Sequence, residues 1–444
     1  MSVQLHHTAT KHRRFVLTPW AAQADYDAPT IVRAQGVRLF DDEGRAYIDL
    51  SSGLIAVNLG HGHPRVTAAI REQLERVAYI SPALFSDVRA ELGEALIGLA
   101  PWAEGGRVFF TSGGADATED AVKIARAATG RTKALAAYRS FHGSSAGSST
   151  LTGENRRWGN EPGAPGAIHF FAPFPYRSPF DTRDPQVETA RALAHLGEVI
   201  AYENPASIAA LIIEPVVGSN GAIVYPEGYL AGIRELCTRH GVALIFDEVM
   251  TGFGRTGAAF GGARFGVEPD LIAFAKGVTS AYIPLGGVMV RESLAHTFDA
   301  RPLLAGHTYS GHPIAMAAGL GALAAYRDEG IFERARSLEP RLRAGLEGLA
   351  ARHPVVGEVR GAGLFFALEF VRDRGTREPL VPWQGAGIGP VATFYAALRK
   401  RGAIAFGRYN VALVAPPLTI DEGELDEALV ALDGALGEFE AALG

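Results

Sequence analysis

The chain has 444 residues, of which 48% are hydrophobic and 20% charged. That composition is globular, carries enough apolar material for a sizeable core and excludes long disorder. Lys and Arg number 42 against 48 Asp and Glu, a formal net charge of -6. Nothing therefore concentrates positive charge for nucleic acid, and the densest basic run, residues 11–14, reads as solvated surface. At roughly 150 residues per domain the length allows two or three domains, or one large domain with a satellite. Cys237 is the sole cysteine. An intrachain disulfide is thus excluded, and the expected setting is a reducing one, the cytoplasm. Residues 1–15 lack the apolar run of a secretory signal, and no apolar window approaches a membrane span.

In chain order, apolar runs at 37–40 and 46–50 flank the polar turn 41–44 and predict a hairpin. Helical patterns follow at 63–77 and 87–100. Then short apolar strands alternate with helices. Candidate strands are 107–111, 133–138, 210–214, 242–248, 271–276 and 286–290. Residues 117–130 form an amphipathic helix, and so do 225–241, with Gly241 as its C-cap and Cys237 as a small core residue. This rhythm predicts an α/β fold with a mostly parallel sheet covered on both faces. The loop 153–166, rich in Gly, Pro and Asn, should be exposed and border a cavity. Beyond about residue 325 a long helix, paired strands at 357–371, strand-like 402–420 and a closing helix from 421 predict a smaller α+β domain.

Three features carry chemistry. Residues 109–126 pass from strand through Ser112-Gly113-Gly114-Ala115 into a helix. Backbone N–H groups at such a helix start stabilise a phosphate, although an ordinary glycine turn would look the same. The segment is neither a Walker motif nor GxGxxG. Asp247 ends one apolar strand and Lys276 another. Both either emerge at the surface or face each other across a site at the sheet's C-terminal edge. In the second case each has a task. A partly desolvated lysine amine attacks an aldehyde carbon and then carries protons. A carboxylate opposite a heterocyclic nitrogen keeps it protonated, which makes the ring an electron sink, as pyridoxal phosphate requires. His61 and His63 sit i,i+2 across a glycine and fit a turn better than zinc.

With these residues in view, the chain resembles the class III (omega) aminotransferases of the fold-type I pyridoxal-phosphate enzymes. The resemblance runs through GVRLFDDEGRAYIDLSSG, TSGGADATEDAVKIAR, SFHG, IIEPVVGSNG, IFDEVMTGFGRTG, FAKGVTSAYIPLGGV, HTYSGHPIAMAAGLGAL and VAPPLTI. It implies a large cofactor-binding domain at 60–325, a C-terminal small domain at 326–444 and an N-terminal segment, 1–59, that joins the small domain. Position by position it implies that Lys276 bonds covalently to pyridoxal phosphate and Asp247 pairs with the pyridine nitrogen. Val249 and Phe141 take the two ring faces; relatives often have tyrosine at the latter position. Gly114 and Ala115 match the phosphate turn without its usual hydroxyl, and His142 with Gly143 completes SFHG. Thr308 matches a threonine that reaches the neighbouring subunit's phosphate, which implies a homodimer with shared sites, alone or paired into a tetramer.

The resemblance also names substrate positions. Glu214 matches a glutamate that pairs in relatives with a movable, carboxylate-binding arginine. The usual position of that arginine holds Phe406, and Arg408 lies two residues on, on the same face of an extended strand. Arg408 is therefore expected to receive the acceptor carboxylate in exchange for Glu214. Trp20, Leu54, Ile55 and Phe85 are expected pocket walls, and Arg255 is expected to be structural. The expected reaction moves an amino group from an amine or ω-amino acid to a 2-oxo acid, pyruvate or 2-oxoglutarate, in ping-pong fashion. The alternatives are an aminomutase of the glutamate semialdehyde type and an inert interaction protein on the same fold; Lys276 and Asp247 speak against the latter. No nucleic acid, membrane or metal partner is expected.

Overall fold

The computed structural model describes residues 2–24, 26–383 and 389–444. After a helix at Ser2–Phe15, an antiparallel meander forms from β1 (Ile31–Gln35), β2 (Arg38–Asp41) and β3 (Ala46–Asp49). The predicted hairpin is β2–β3. Its turn is closed by the Asp41 carboxylate, which accepts from the N–H of Glu43 at 3.0 Å and of Arg45 at 2.8 Å. Gly44 supplies the positive φ of 84°.

The centre is a seven-stranded sheet. Its members are β4 (Gly106–Thr111), β5 (Lys133–Ala137), β6 (Ala167–Phe170), β7 (Ile208–Ile213) and, after a small hairpin of β8 (Val216–Val217) and β9 (Ile223–Val224), β10 (Ala243–Asp247), β11 (Leu271–Phe274) and β12 (Gly286–Arg291). The strand order is β4-β12-β11-β10-β7-β5-β6. Only β12 runs against its neighbours. Strands β7 and β10 are buried along their whole length, as expected where helices cover both faces. Burying one Ile or Leu there contributes about 1.5–3 kcal/mol. The helix Gly114–Thr129 crosses one face and ends at Gly130 in the left-handed region; Tyr229–His240 ends in the same way at Gly241. Cys237 is fully buried in the latter helix, and burial pushes its thiol up to about 12.

The C-terminal part holds an antiparallel sheet of β13 (Val356–Ala362), β14 (Phe365–Asp373) with the short β15 (Glu378–Pro379) on it, and then, past β16 (Ala403–Ile404), β17 (Phe406–Arg408) and β18 (Val411–Val414). β16 pairs in parallel with β3, so residues 46–49 share a sheet with residues 403–404. The closing helix Glu422–Leu443 starts at a capping box in which Asp421 and Glu424 satisfy each other's backbone N–H. Arg255, fully buried, stitches these parts together. It donates to the carbonyls of Leu364 (3.0 Å) and Pro416 (2.6 Å), to Asn58 Oδ1 (2.8 Å) and to Ser52 Oγ (3.2 Å). Its expected structural role fits this geometry.

The architecture is the expected one: a large, mostly parallel sheet domain with a smaller α+β part. The reading of 153–166 as an exposed loop needs correction at its start. Gly153 and Glu154 are buried, and the chain reaches the surface only from Trp158 onward. The cause is an ionic cluster around Glu154, described below. Among the described residues no helix is long and apolar enough to cross a membrane.

Candidate active site

The C-terminal ends of four adjacent strands deliver the chemistry, in the order β11, β10, β7, β5. Lys276 follows β11, Asp247 ends β10, Glu214 follows β7, and Phe141 and His142 follow β5. This is the edge where parallel α/β sheets collect ligands, because the helix N-termini and loops open there. Lys276 holds φ at 47°, a left-handed conformation that costs a non-glycine residue about 1–3 kcal/mol. Burial pulls its ammonium down to about 8, against the opposing pull of the Asp247 and Glu214 carboxylates; the Arg156 and Arg255 cations add to the lowering.

Asp247 is buried and doubly held. Its Oδ1 accepts from the N–H of Val249 at 3.1 Å, and its Oδ2 lies 2.7 Å from Nδ1 of the buried His142. Nε2 of His142 is buried and has no hydrogen-bond partner among the described residues. Glu214 accepts from the N–H of Phe141 (3.0 Å) and of Gly218 (2.7 Å). Burial first, and then the Asp247 charge, raises its carboxyl to about 7.

Gly114 opens the helix after β4, and its first N–H groups face away from the helix. A Cβ at Gly114 would sit 3.0 Å from Val249 Cγ1, and one at Gly143 would sit 2.6 Å from Ala115 Cβ. The helix start, the SFHG turn and Val249 thus close on one another with no room for side chains. The donor set fits pyridoxal phosphate: an amine for its aldehyde, a buried carboxylate for its ring nitrogen and a helix N-terminus for its phosphate.

Sequence reasoning missed Arg156. Its guanidinium stacks 3.5 Å from the Phe141 ring centroid and 5.9 Å from that of Trp20. It donates through Nη2 to Ser219 Oγ at 2.7 Å and through Nε to Glu154 Oε1. The other oxygen of Glu154 accepts from Arg408 Nη1 at 2.6 Å; Arg408 Nη2 adds contacts to Asn155 Oδ1 (3.1 Å) and the Tyr409 hydroxyl (3.2 Å). Arg408 does share β17 with Phe406, as expected. Its partner, however, is Glu154 and not Glu214, whose oxygens accept from the N–H groups of Phe141 and Gly218. An arginine in a loop without periodicity leaves no sequence signal, so this partner could not be foreseen.

The remaining expected wall residues divide. Trp20 reaches the site through Arg156. Ile55 is buried in an apolar cluster that Phe406 and Met250 also contact. Leu54 and Phe85 are both exposed, and Phe85, bare along its whole side chain, is not brought to the site within one chain. Thr308 is likewise exposed, with its carbonyl accepting from the Tyr79 hydroxyl at 2.8 Å. His61 and His63 separate, to Asp49 and Glu329; no group of metal-binding side chains occurs among the described residues. A surface cavity of about 720 Å³, lined by Arg234, Thr238, Gly241 and Asp270 among others, lies at the opposite end of β10 and touches none of the site residues.

Comparison with known proteins agrees with this geometry. The family model for class-III aminotransferases matches residues 21–436. The chain is similar to the taurine–pyruvate aminotransferase of Bilophila wadsworthia, 31% identical over 448 residues, which cover 97% of each chain. Among solved structures it is similar to the taurine:2-oxoglutarate aminotransferase from Bifidobacterium kashiwanohense in complex with pyridoxal phosphate and glutamate. The TM-score is 0.95, at 39% identity and 99% coverage of both chains. It is also similar to a thermostable (S)-enantioselective omega-transaminase from Thermomicrobium roseum, with TM-score 0.93, 37% identity and 98% coverage of both. The chain belongs to the class III aminotransferases, fold-type I enzymes that work with pyridoxal phosphate.

Proposed function

We propose that the protein moves an amino group from an amine or ω-amino acid to a 2-oxo acid, pyruvate or 2-oxoglutarate, in two half-reactions at one site. The observation that carries this reading is the pair Lys276 and Asp247, a buried amine and a buried carboxylate on the adjacent strands β11 and β10. When bound, the cofactor supplies an aldehyde carbon and an electron-poor ring. Lys276 would hold it covalently until the donor amine displaces the lysine nitrogen; the freed amine would then take the proton from the donor carbon beside the nitrogen and return it at the cofactor's former aldehyde carbon. In the cofactor-free chain burial brings this amine down to about 8, so a usable fraction is neutral to attack the cofactor aldehyde near physiological pH. Asp247, fixed by His142 and the Val249 N–H, keeps the ring nitrogen protonated. Phe141 and Val249 hold the ring faces, and the N–H groups at Gly114 and Ala115 take the phosphate. Arg408 receives the acceptor carboxylate by leaving Glu154.

The working unit in this reading is a homodimer, with 60–325 as the cofactor-binding domain and the segment 1–59 acting with 326–444. Thr308 acts on the partner's phosphate, and Phe85 walls the partner's pocket. The support is a set of bare apolar side chains, Leu84, Phe85, Leu304 and Tyr309, near Thr308 and Tyr79. The pairing of β3 with β16 supports joining the N-terminal segment to the small domain.

The test is a donor-by-acceptor activity matrix on purified holoenzyme. Transfer should require a 2-oxo acid. Rearrangement of one amino compound without any acceptor would mean an aminomutase instead. Borohydride reduction followed by peptide mapping should find the cofactor on Lys276; an adduct on another lysine overturns the assignment.

A further inference from the structure

A cationic recess lies away from Lys276. Residues 175–183, which follow β6, line a surface cleft of about 510 Å³ together with the turn between β14 and β15. Arg177, Thr182, Arg183 and Arg377 are on its wall, and Asp181 is the one carboxylate there among the described residues. None of the residues assigned above to the cofactor or the substrates reaches it.

Two of the three guanidiniums are fixed. Arg177 donates through Nε to Glu369 and through Nη1 to the Arg377 carbonyl at 2.7 Å. Arg377 donates through Nη1 to the carbonyls of Tyr176 (2.7 Å) and Pro175 (3.1 Å). The Tyr176 ring holds both, with its centroid 5.3 Å from the Arg177 guanidinium and 4.5 Å from that of Arg377. These contacts orient the cations without neutralising them. The buried Glu369 carboxylate is divided between Arg177 and Arg360, and Arg377 donates to carbonyls. Nη2 of Arg177 is buried and has no hydrogen-bond partner among the described residues, a state that native interiors seldom leave without a water or an ion. Arg183 is exposed and has neither a hydrogen bond nor an ion pair among the described residues. Thr182 Oγ1 accepts from the N–H of Asp184 at 3.1 Å and keeps its own proton to donate.

We propose that this cleft binds a small phosphomonoester through its phosphate group. Three cations against the single Asp181 carboxylate on the wall suit a dianion better than a monocarboxylate. A phosphate monoester carries about -1.5 to -2 charges at pH 7. Arginine forks match its oxygens, and Arg177 Nη2, Arg183 and the Thr182 hydroxyl supply uncommitted donors. The volume is that of a small-molecule pocket, so the organic part of the ester has room as well. Asp181, which repels the phosphate, suits hydroxyl groups on that organic part. The site stands apart from the aminotransferase reading and does not depend on it.

The experiment is isothermal titration calorimetry on the holoenzyme at constant ionic strength, with the cofactor's own phosphate filling the turn at Gly114. The ligands are glycerol 3-phosphate, inorganic phosphate and glycerate. Glycerol 3-phosphate should bind most tightly, inorganic phosphate more weakly and glycerate most weakly. Arg183→Gln should weaken glycerol 3-phosphate by about 10- to 150-fold, the loss of one charge-assisted contact, and Arg183→Lys should recover part of it. Arg183 packs against nothing that its loss would strand, so an unchanged denaturation midpoint should accompany the effect. Arg239→Gln removes an exposed arginine outside the cleft, on the helix Tyr229–His240, and should leave the affinity unchanged. Absence of binding, equal affinity in Arg183→Gln, or an equal loss in Arg239→Gln overturns the site. Glycerate binding as tightly as the ester overturns the phosphate assignment. Inorganic phosphate binding as tightly overturns the ester in favour of the free anion. A change in cofactor absorbance during the titration would put the ligand at Gly114 and overturn the proposal as well.

Discussion

In the cofactor-free protein, Lys276 should titrate at about 8 and not at its ordinary 10.5. The larger effect is burial, which disfavours the ammonium; Asp247 and Glu214 oppose it without cancelling it. At pH 7 this displacement raises the neutral fraction of the amine about 300-fold over an ordinary lysine. The linkage has a definite sign. The folded pKa lies below the unfolded one, so between about 8 and 10.5 the unfolded chain binds the extra proton. The cofactor-free protein should therefore gain stability as pH rises through that window and lack this contribution below about 8. Competitive labelling with trace acetic anhydride, quantified on the Lys276 peptide against pH, measures the amine without any turnover. Asp247→Asn removes the carboxylate that favours the ammonium, so the labelling midpoint should move down. A midpoint near 10, or an upward move in Asp247→Asn, would refute the claim that burial dominates this amine.

Three other outcomes follow from the same geometry. Asp247→Asn in the holoenzyme should lower turnover by several orders of magnitude with the fold retained; a steady-state rate within about threefold of wild type, under about 1 kcal/mol of barrier, rejects its role at the ring nitrogen. Arg255→Met strands the carbonyls of Leu364 and Pro416 and the amide of Asn58. It should lower the apparent denaturation stability by about 3–5 kcal/mol, and a loss under about 1 kcal/mol would show those groups to be satisfied otherwise. Arg408→Ala should raise the acceptor KM by about 10- to 150-fold and affect an uncharged donor much less; unchanged acceptor kinetics in a separate half-reaction would assign the acid to another cation.

What the sequence made legible follows from the range of the interactions involved. Six of the strands between 107 and 290, β4, β5, β7, β10, β11 and β12, are short apolar runs bounded by polar turns, so local pattern alone locates them. Lys276 and Asp247 stand out for the same reason, since a charge at the end of an apolar run breaks the pattern. β6 escaped because Ala167–Phe170 carries a histidine and follows a Pro/Gly-rich loop. β1 escaped because Ile31–Gln35 is mostly exposed and lacks a clean alternation. Glu154, Arg156 and Arg408 became a unit only in three dimensions. Residues 154 and 408 are far apart in the chain, and their pairing depends on how β17 approaches the loop after the SFHG segment. Glu214 was assigned a cation by resemblance, but it accepts from the N–H of Gly218 in its own turn and from that of Phe141 on the loop after β5, and only coordinates reveal the second.

The shared carboxylate bears on how one pocket can accept both an amine donor and an acidic acceptor. A movable arginine that pairs with a single buried carboxylate leaves that carboxylate uncompensated when it moves, and a stranded buried charge costs several kcal/mol. If Arg408 receives the acceptor as proposed, its departure from Glu154 Oε2 would leave Oε1 on Arg156, so Glu154 would keep a cation throughout. What Arg408 gives up is one ion pair and two neutral contacts, to Asn155 and Tyr409, and an arriving carboxylate replaces the ion pair with one of similar kind. The exchange is then nearly balanced, which is the condition for a side chain to populate both positions. On this account the contact of Arg156 with Glu154 is what would permit Arg408 to move: Arg156 keeps Glu154 compensated while Arg408, if it receives the acceptor as proposed, follows the incoming acid.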